Sequence, residues 1–137
     1  MLSHVHGGLF AYRCLDCSAP WSGELEIPAE VPERVSPPAC VECEGWIRPG
    51  IVWFGEMLPQ QAFQDAVDAS ASCDLMLVVG TSGIVQPAGS LPFAALERGT
   101  PVIEINPEES LLTDYVTHWW QGTAADVLPD LVTIARG

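Results

Sequence analysis

Basic side chains are scarce in this chain: its 137 residues carry five Lys+Arg against 18 Asp+Glu, a formal charge of -13 at pH 7. A surface of that sign repels phosphate backbones and anionic lipid, so no nucleic acid is expected as a partner and basic ligands are favoured. No apolar run approaches the roughly 20 residues that cross a bilayer, which excludes a helical span and makes a membrane partner unexpected. Met1-Leu2-Ser3-His4 has neither the basic nor the apolar region of an export signal, so a cytoplasmic location is the expectation. Gly-x-Gly-x-x-Gly and P-loop patterns are missing, as are internal repeats and linkers. With 48% apolar residues the chain is nonetheless far from the composition of a disordered tail and is about one domain long.

Cysteine is sparse but patterned. Cys14 and Cys17 form one C-x2-C, Cys40 and Cys43 a second, with 22 residues between them. Each pair sets two thiolates close together, and two pairs complete a tetrahedron of soft ligands for a structural zinc ion. With every position a cysteine, no coordination site stays open for chemistry. A disulfide pair is the competing reading, and a cytosolic chain argues against it. Between the pairs, the Pro- and Glu-rich stretch from Ser18 to Ala39 offers Trp21 and Ile27 as its few apolar anchors, so the metal is expected to hold it. Residues 11–50 are therefore expected to form a zinc-binding module. Cys73 stands apart and reads as a small buried hydrophobe.

The rest of the chain is arranged around Asp74 to Gly89. Leu75 to Val79 is an unbroken apolar run without alternation, which predicts a parallel strand covered on both faces. It runs into Gly80-Thr81-Ser82-Gly83, a small-residue loop past the strand's carboxyl end; this is where ligands of open α/β sheets bind, although an ordinary turn reads the same way. A strand is expected at Ile51 to Glu56, a helix from Gln60 to Ser72 opened by Pro59, and a helix from about Ser90 to Arg98 stopped by Gly99. Further strands are expected at Pro101 to Ile105 and Thr117 to Trp120, and a last helix over Ala124 to Ala135 that Pro129 interrupts. The succession predicts an α/β fold: a partial, doubly wound, Rossmann-like parallel sheet with an inserted four-cysteine zinc-ribbon module. Three parallel strands leave one edge that nothing in the sequence covers, and such an edge is a template for self-association.

In order, His6-Gly7, the two cysteine pairs, Val52-Trp53-Phe54-Gly55-Glu56, Gly80-Thr81-Ser82, Pro87-Ala88, Ile105-Asn106-Pro107-Glu108 and Gly122-x5-Leu128-Pro129 resemble the carboxyl-terminal half of a sirtuin, nearest to the bacterial and mitochondrial deacylase branch. The resemblance implies an NAD-dependent protein-lysine deacylase, which transfers the acyl group of a modified lysine to ADP-ribose and releases nicotinamide. It implies zinc and NAD as cofactors and acyl-lysine proteins or peptides as substrates. His6 is similar to the family's general base. Val52, Phe54, Gly55 and Glu56 resemble the loop that pairs with the substrate peptide, though as a bare pattern they suit a core strand equally. Gly80, Thr81 and Ser82 resemble contacts to the adenosine side of NAD, Asn106, Pro107 and Glu108 its ribose and adenine neighbours, and Ala124 a backbone contact to adenine. Residues 1–10 and 51–137 are then expected to be a partial NAD-binding Rossmann-like domain. The family's Gly-Ala-Gly phosphate loop and Gln-Asn-x-Asp motif do not occur in the chain, and Gln86 stands where this branch often has tyrosine. The expectation is a truncated protein that is inactive alone, with a non-catalytic zinc-binding peptide module or half of a split enzyme as alternatives.

Overall fold

Thiols and backbone pairing, more than apolar volume, organise the first sixty residues of the computed structural model, which describes residues 2–25, 30 and 34–136. Ile27, expected as an anchor, lies outside the described residues. The chain divides into two units, Met1–Gln60 and Gln61–Gly137.

In the first unit three antiparallel strands lie in the order β2-β1-β3: β1 is Gly7–Cys14, β2 Pro20–Trp21 and β3 Ile47–Ile51. Cys14 pairs with Ile47, Arg13 with Arg48 and Tyr12 with Pro49; after an irregularity, Gly8 pairs with Gly50 and Gly7 with Ile51. The core is small, with Cys14, Cys40 and Ile47 buried against Tyr12, Ala19 and Trp21. The rings of Tyr12 and Trp21 meet edge to face at 5.8 Å. β1 runs across residue 10, so the segment before it is continuous with the antiparallel sheet.

The strand expected at Ile51 to Glu56 needs correction. β3 ends at Ile51, and residues 52–56 form a loop whose Phe54 is 99% exposed. Pairing with β1 decides the strand's place, and Pro49 is tolerated because β3 is an edge strand, where a missing N–H costs no ladder bond.

The second unit opens with α1 (Gln60–Ser72), followed by β4 (Met76–Val79), a 3-10 turn at Ala88–Ser90 leading into α2 (Leu91–Leu96), β5 (Val102–Asn106), β6 (His118–Gln121) and α3 (Ala124–Arg136). The three strands are parallel in the order β4-β5-β6, as the α/β reading expects. Val78, Ala95, Val102 and Leu112 form the core, with Cys73, Met76, Phe93, Leu96 and Val116 packed against it. Cys73 is thus only partly buried, its thiol donating to the Ser70 carbonyl at 3.3 Å. Among the described residues no helix is long and apolar enough to cross a membrane.

Two further expectations are corrected. β4 is an edge strand rather than one covered on both faces: Val78 is buried, but Leu77 and Val79 are 39% and 36% exposed. β5 is the central strand, with Val102, Glu104 and Ile105 wholly buried. α3 continues through Pro129. The proline removes one donor to the first turn, at Ala125, which is an exposed residue. Thr123 secures that end by accepting the Asp126 N–H and donating to the Asp126 carboxylate at 2.6 Å.

Candidate functional site

The four cysteines converge. Their Sγ atoms all lie within 4.8 Å of one another, with Cys14 and Cys43 at 3.5 Å and Cys17 and Cys40 at 3.7 Å. A tetrahedral zinc with bonds of about 2.3 Å requires sulfur separations of about 3.8 Å, so the thiols fit the ion. All are free, and these distances are far beyond the roughly 2.05 Å of a disulfide. Each pair is followed by a residue in the left-handed region, Ser18 at φ 61° and Glu44 at φ 63°, where each loop turns back past its thiols. Further, the Glu42 N–H points to the Cys40 sulfur at 3.4 Å. Without a metal the thiols share charge unevenly. The Cys17 N–H holds Cys14 down at about 7 against the opposing effect of burial. At Cys17 the Ala19 N–H pulls down, but Cys43, burial and the other thiols push it up to about 12. A crowd of sulfurs that resists a second negative charge is one that a divalent cation would relieve.

His6 is placed by the residue after it. Gly7 has φ 72°, and a Cβ there would overlap the Gly50 carbonyl oxygen, so only glycine lets β1 start beside β3. The His6 carbonyl accepts the Val52 N–H at 3.0 Å, which ties the exposed histidine to the start of the loop 52–56. That loop is closed at its base by charge. Glu56 accepts both terminal nitrogens of Arg48, Nη2 of Arg13 at 3.2 Å, and the Trp53 N–H at 2.9 Å. Arg48 is 6% exposed, its guanidinium lies 3.5 Å from the centre of the Trp53 ring, and it also donates to the Pro49 and Ile51 carbonyls. Hydrogen bonding from Arg48, then from the Trp53 N–H, holds the Glu56 carboxyl down at about 2. Val52, Phe54 and Gly55 therefore form the presented part of the loop, while Glu56 turns its carboxylate into it.

In the second unit a cavity of about 530 Å³ opens at the carboxyl ends of β4 and β5. Gly80, Thr81, Ser82, Asn106 and Glu108 line it, so five of the expected nucleotide contacts come together. Pro107 and Ala124 are not in the lining: the Pro107 carbonyl accepts Nε2 of Gln121 at 3.1 Å, and Ala124 begins α3. The sequence reading missed Ile84, Glu109, Ser110 and Leu111 in the wall. Glu109 to Leu111 follow directly on a recognised motif, and that adjacency was the available signal. The walls are tied: the Asn106 amide donates to the Thr81 carbonyl at 2.8 Å, and the Gly80 N–H to the Ile105 carbonyl at 3.0 Å.

Comparison with known proteins follows the same lines. The Sir2 family model matches residues 1–87. Over 131 residues the chain is 47% identical to an NAD-dependent protein deacylase of Corynebacterium glutamicum, covering 96% of this chain and 51% of that protein. It superimposes on a Sir2 homologue in complex with NAD with a TM-score of 0.85 at 39% identity, covering 97% of this chain and 50% of the other. A Sir2 protein bound to a propionylated peptide gives a TM-score of 0.79 at 26% identity, over 97% and 55%. The chain spans about half the length of the relatives it matches. The resemblance expected for a carboxyl-terminal half alone is corrected, because the Sir2 relatives and structures match 96–97% of this chain along the Sir2 catalytic domain. With the family's pattern covering most of its residues, and both its thiol cluster and its strand-end cavity in place, the chain belongs to the Sir2 family.

Proposed function

We propose that this chain serves NAD-dependent removal of acyl groups from protein lysines. The observation that carries the reading is the cavity at the ends of β4 and β5. It is built from Gly80, Thr81 and Ser82, which resemble the family's contacts to the adenosine side of NAD, and from Asn106 and Glu108, which resemble its ribose and adenine neighbours, and it lies where open parallel sheets bind nucleotides. NAD, when bound, supplies the ribose carbon that receives the acyl oxygen. His6 accepts a proton from a ribose hydroxyl as general base. Val52, Phe54 and Gly55 pair with the acyl-lysine peptide as an added strand, and Glu56 holds the loop in shape for it. Pro107 and Ala124, which do not line the cavity, contribute through backbone atoms. Zinc at Cys14, Cys17, Cys40 and Cys43 is structural. The charge of -13 favours basic peptides. Four metal-binding thiols suit a reducing compartment, and we place the protein in the cytoplasm. The edge of β4 is a route to self-association, to be read by sedimentation at increasing concentration.

We expect the 137-residue chain by itself to bind nucleotide weakly and to turn nothing over. Holding two reactants in a reactive pose is worth roughly 7–11 kcal/mol of barrier, and the phosphate-gripping motifs that do so in the family do not occur in this sequence. The test is a titration of the chain with ADP-ribose, followed by backbone amide shifts. Shifts at Gly80 to Ser82 and Asn106 to Glu108 are expected; binding that moves neither segment, or no binding at millimolar ligand, overturns the reading. NAD-dependent deacylation by the chain alone, abolished by His6→Ala, would show that the expectation of inactivity is wrong.

A further inference from the structure

We infer that Glu104 is the positioning residue of the strand-end cavity: a buried carboxylate that sets the place of three of its walls without touching what binds there. The inference rests on the nucleotide reading above for the ligand, but its geometry stands apart from it.

Position 104 sits on the central strand, two residues before Asn106, so both side chains project from the same face of the sheet. Its side chain is wholly buried, and it makes no ion pair among the described residues; its partners are an amide and a hydroxyl. One carboxylate oxygen accepts Nδ2 of Asn106 at 3.3 Å, and the other accepts the Thr113 hydroxyl at 2.7 Å. Each partner hands the constraint on. The same Asn106 nitrogen donates to the Thr81 carbonyl at 2.8 Å, and Thr113 Oγ1 accepts the Ser110 N–H at 2.9 Å. Ser110 in turn accepts the Leu112 N–H at 3.0 Å, fixing the turn that carries Leu111. Thr81, Asn106, Ser110 and Leu111 all line the cavity. One carboxylate therefore connects the loop after β4, the end of β5 and the turn beyond it.

Apolar burial explains none of this, since a leucine would fill the space without the cost of burying a polar group. What a carboxylate adds is two acceptors held in a fixed plane. An amide substitutes in part: in Glu104→Gln the oxygen still accepts Asn106 and the NH2 donates to Thr113 Oγ1 once the hydroxyl rotates, so Glu104→Met is the variant that removes both acceptors at similar length. Thr113→Val removes the second branch alone, and Thr113→Ser retains it.

The experiment uses the full 137-residue chain with zinc, titrated with ADP-ribose by calorimetry, together with spectra of the Asn106 side-chain amide in the free protein. Glu104→Met and Thr113→Val are each expected to weaken ADP-ribose about tenfold, the loss of one good hydrogen bond's worth of placement. Their double variant should lose less than the product of the two, because both cut one connection. Thr113→Ser should bind like the native chain. The Asn106 amide should lose its slow proton exchange in Glu104→Met while the β5 and β6 backbone amides keep theirs. Affinity unchanged within twofold in both Glu104→Met and Thr113→Val overturns the inference, as does an unchanged Asn106 amide in Glu104→Met. A loss of affinity in Thr113→Ser equal to that in Thr113→Val also overturns it. If the native chain binds no ADP-ribose, the nucleotide reading fails, and the Asn106 signal still decides the role of Glu104.

Discussion

Replacing Gly7 with alanine separates two costs that coincide at that residue, because Gly55 supplies the control. Both glycines have positive φ, 72° and 85°, so alanine at either meets the same backbone penalty of about 1–2 kcal/mol. Both replacements also recover about 0.4–1 kcal/mol by restricting the unfolded chain. At Gly55 nothing lies within 4 Å of the added Cβ, so the net loss should be about 0–1.6 kcal/mol. At Gly7 the Cβ overlaps the Gly50 carbonyl oxygen and comes within 3.3 Å of the Ile51 Cα, and this is backbone that cannot swing aside. Relief requires the pairs Gly7 with Ile51 and Gly8 with Gly50 to part, and with them the bond from Val52 to His6. Two or three backbone bonds at about 0.5–1.5 kcal/mol each bring the loss to about 2–5 kcal/mol. The assay is urea unfolding of the zinc-loaded variants by tryptophan fluorescence, with amide exchange at Val52 to report whether the strand start has opened. Equal destabilisation by Gly7→Ala and Gly55→Ala would refute the steric argument and leave conformation as the sole reason for glycine beside His6.

Zinc analysis of the purified chain should find one ion per molecule, and Cys43→Ala should lose it, since the remaining three thiols leave a coordination position to water; a full complement of zinc in that variant refutes the ligand set. Acid should loosen the loop 52–56 late. The folded-state carboxyl of Glu56 sits at about 2 against an ordinary 4.5, so the stabilisation it brings is whole above about 4.5 and disappears as pH falls through 2. Exchange at the Trp53 amide, compared between the native chain and Glu56→Gln, should show this, because metal release from the thiols is common to both; identical pH profiles would count against the clamp.

Some of this architecture is written locally, and some is not. The thiol cluster was legible because paired thiols two residues apart specify their own geometry. The convergence of Thr81 and Asn106 was legible too: each follows an apolar run, and parallel strands deliver their carboxyl ends to one side. β3 was misplaced because Pro49 and Gly50 look like breakers, whereas the strand is imposed by pairing with β1, a partner some forty residues away that carries exposed Leu9 and Phe10 and shows no clean alternation. The depth of Glu104 was hidden for the opposite reason: a carboxylate within an apolar strand reads as the wet face, and it takes Asn106 at the strand end and Thr113 from the next turn to make burial tolerable. Likewise Glu56 was read as part of a recognition loop, and its engagement by Arg13 and Arg48 depends on sheet register that sequence does not display.

β3 gives five consecutive residues four different obligations. Ile47 closes the thiol core, Arg48 grips the loop carboxylate, Gly50 makes room for Ala11, and Ile51 gives its carbonyl to Arg48. Side chains along a strand alternate faces, so inserting or deleting one residue here would reverse them all at once. Arg48 would leave its buried seat, Ile47 would turn from the cysteines, and Ile51 would no longer stand opposite Gly7, the histidine's neighbour. The length of this segment is therefore fixed more tightly than the identity of any residue in it: substitutions injure one function at a time, whereas a frame shift of a single position uncouples metal, loop and histidine together.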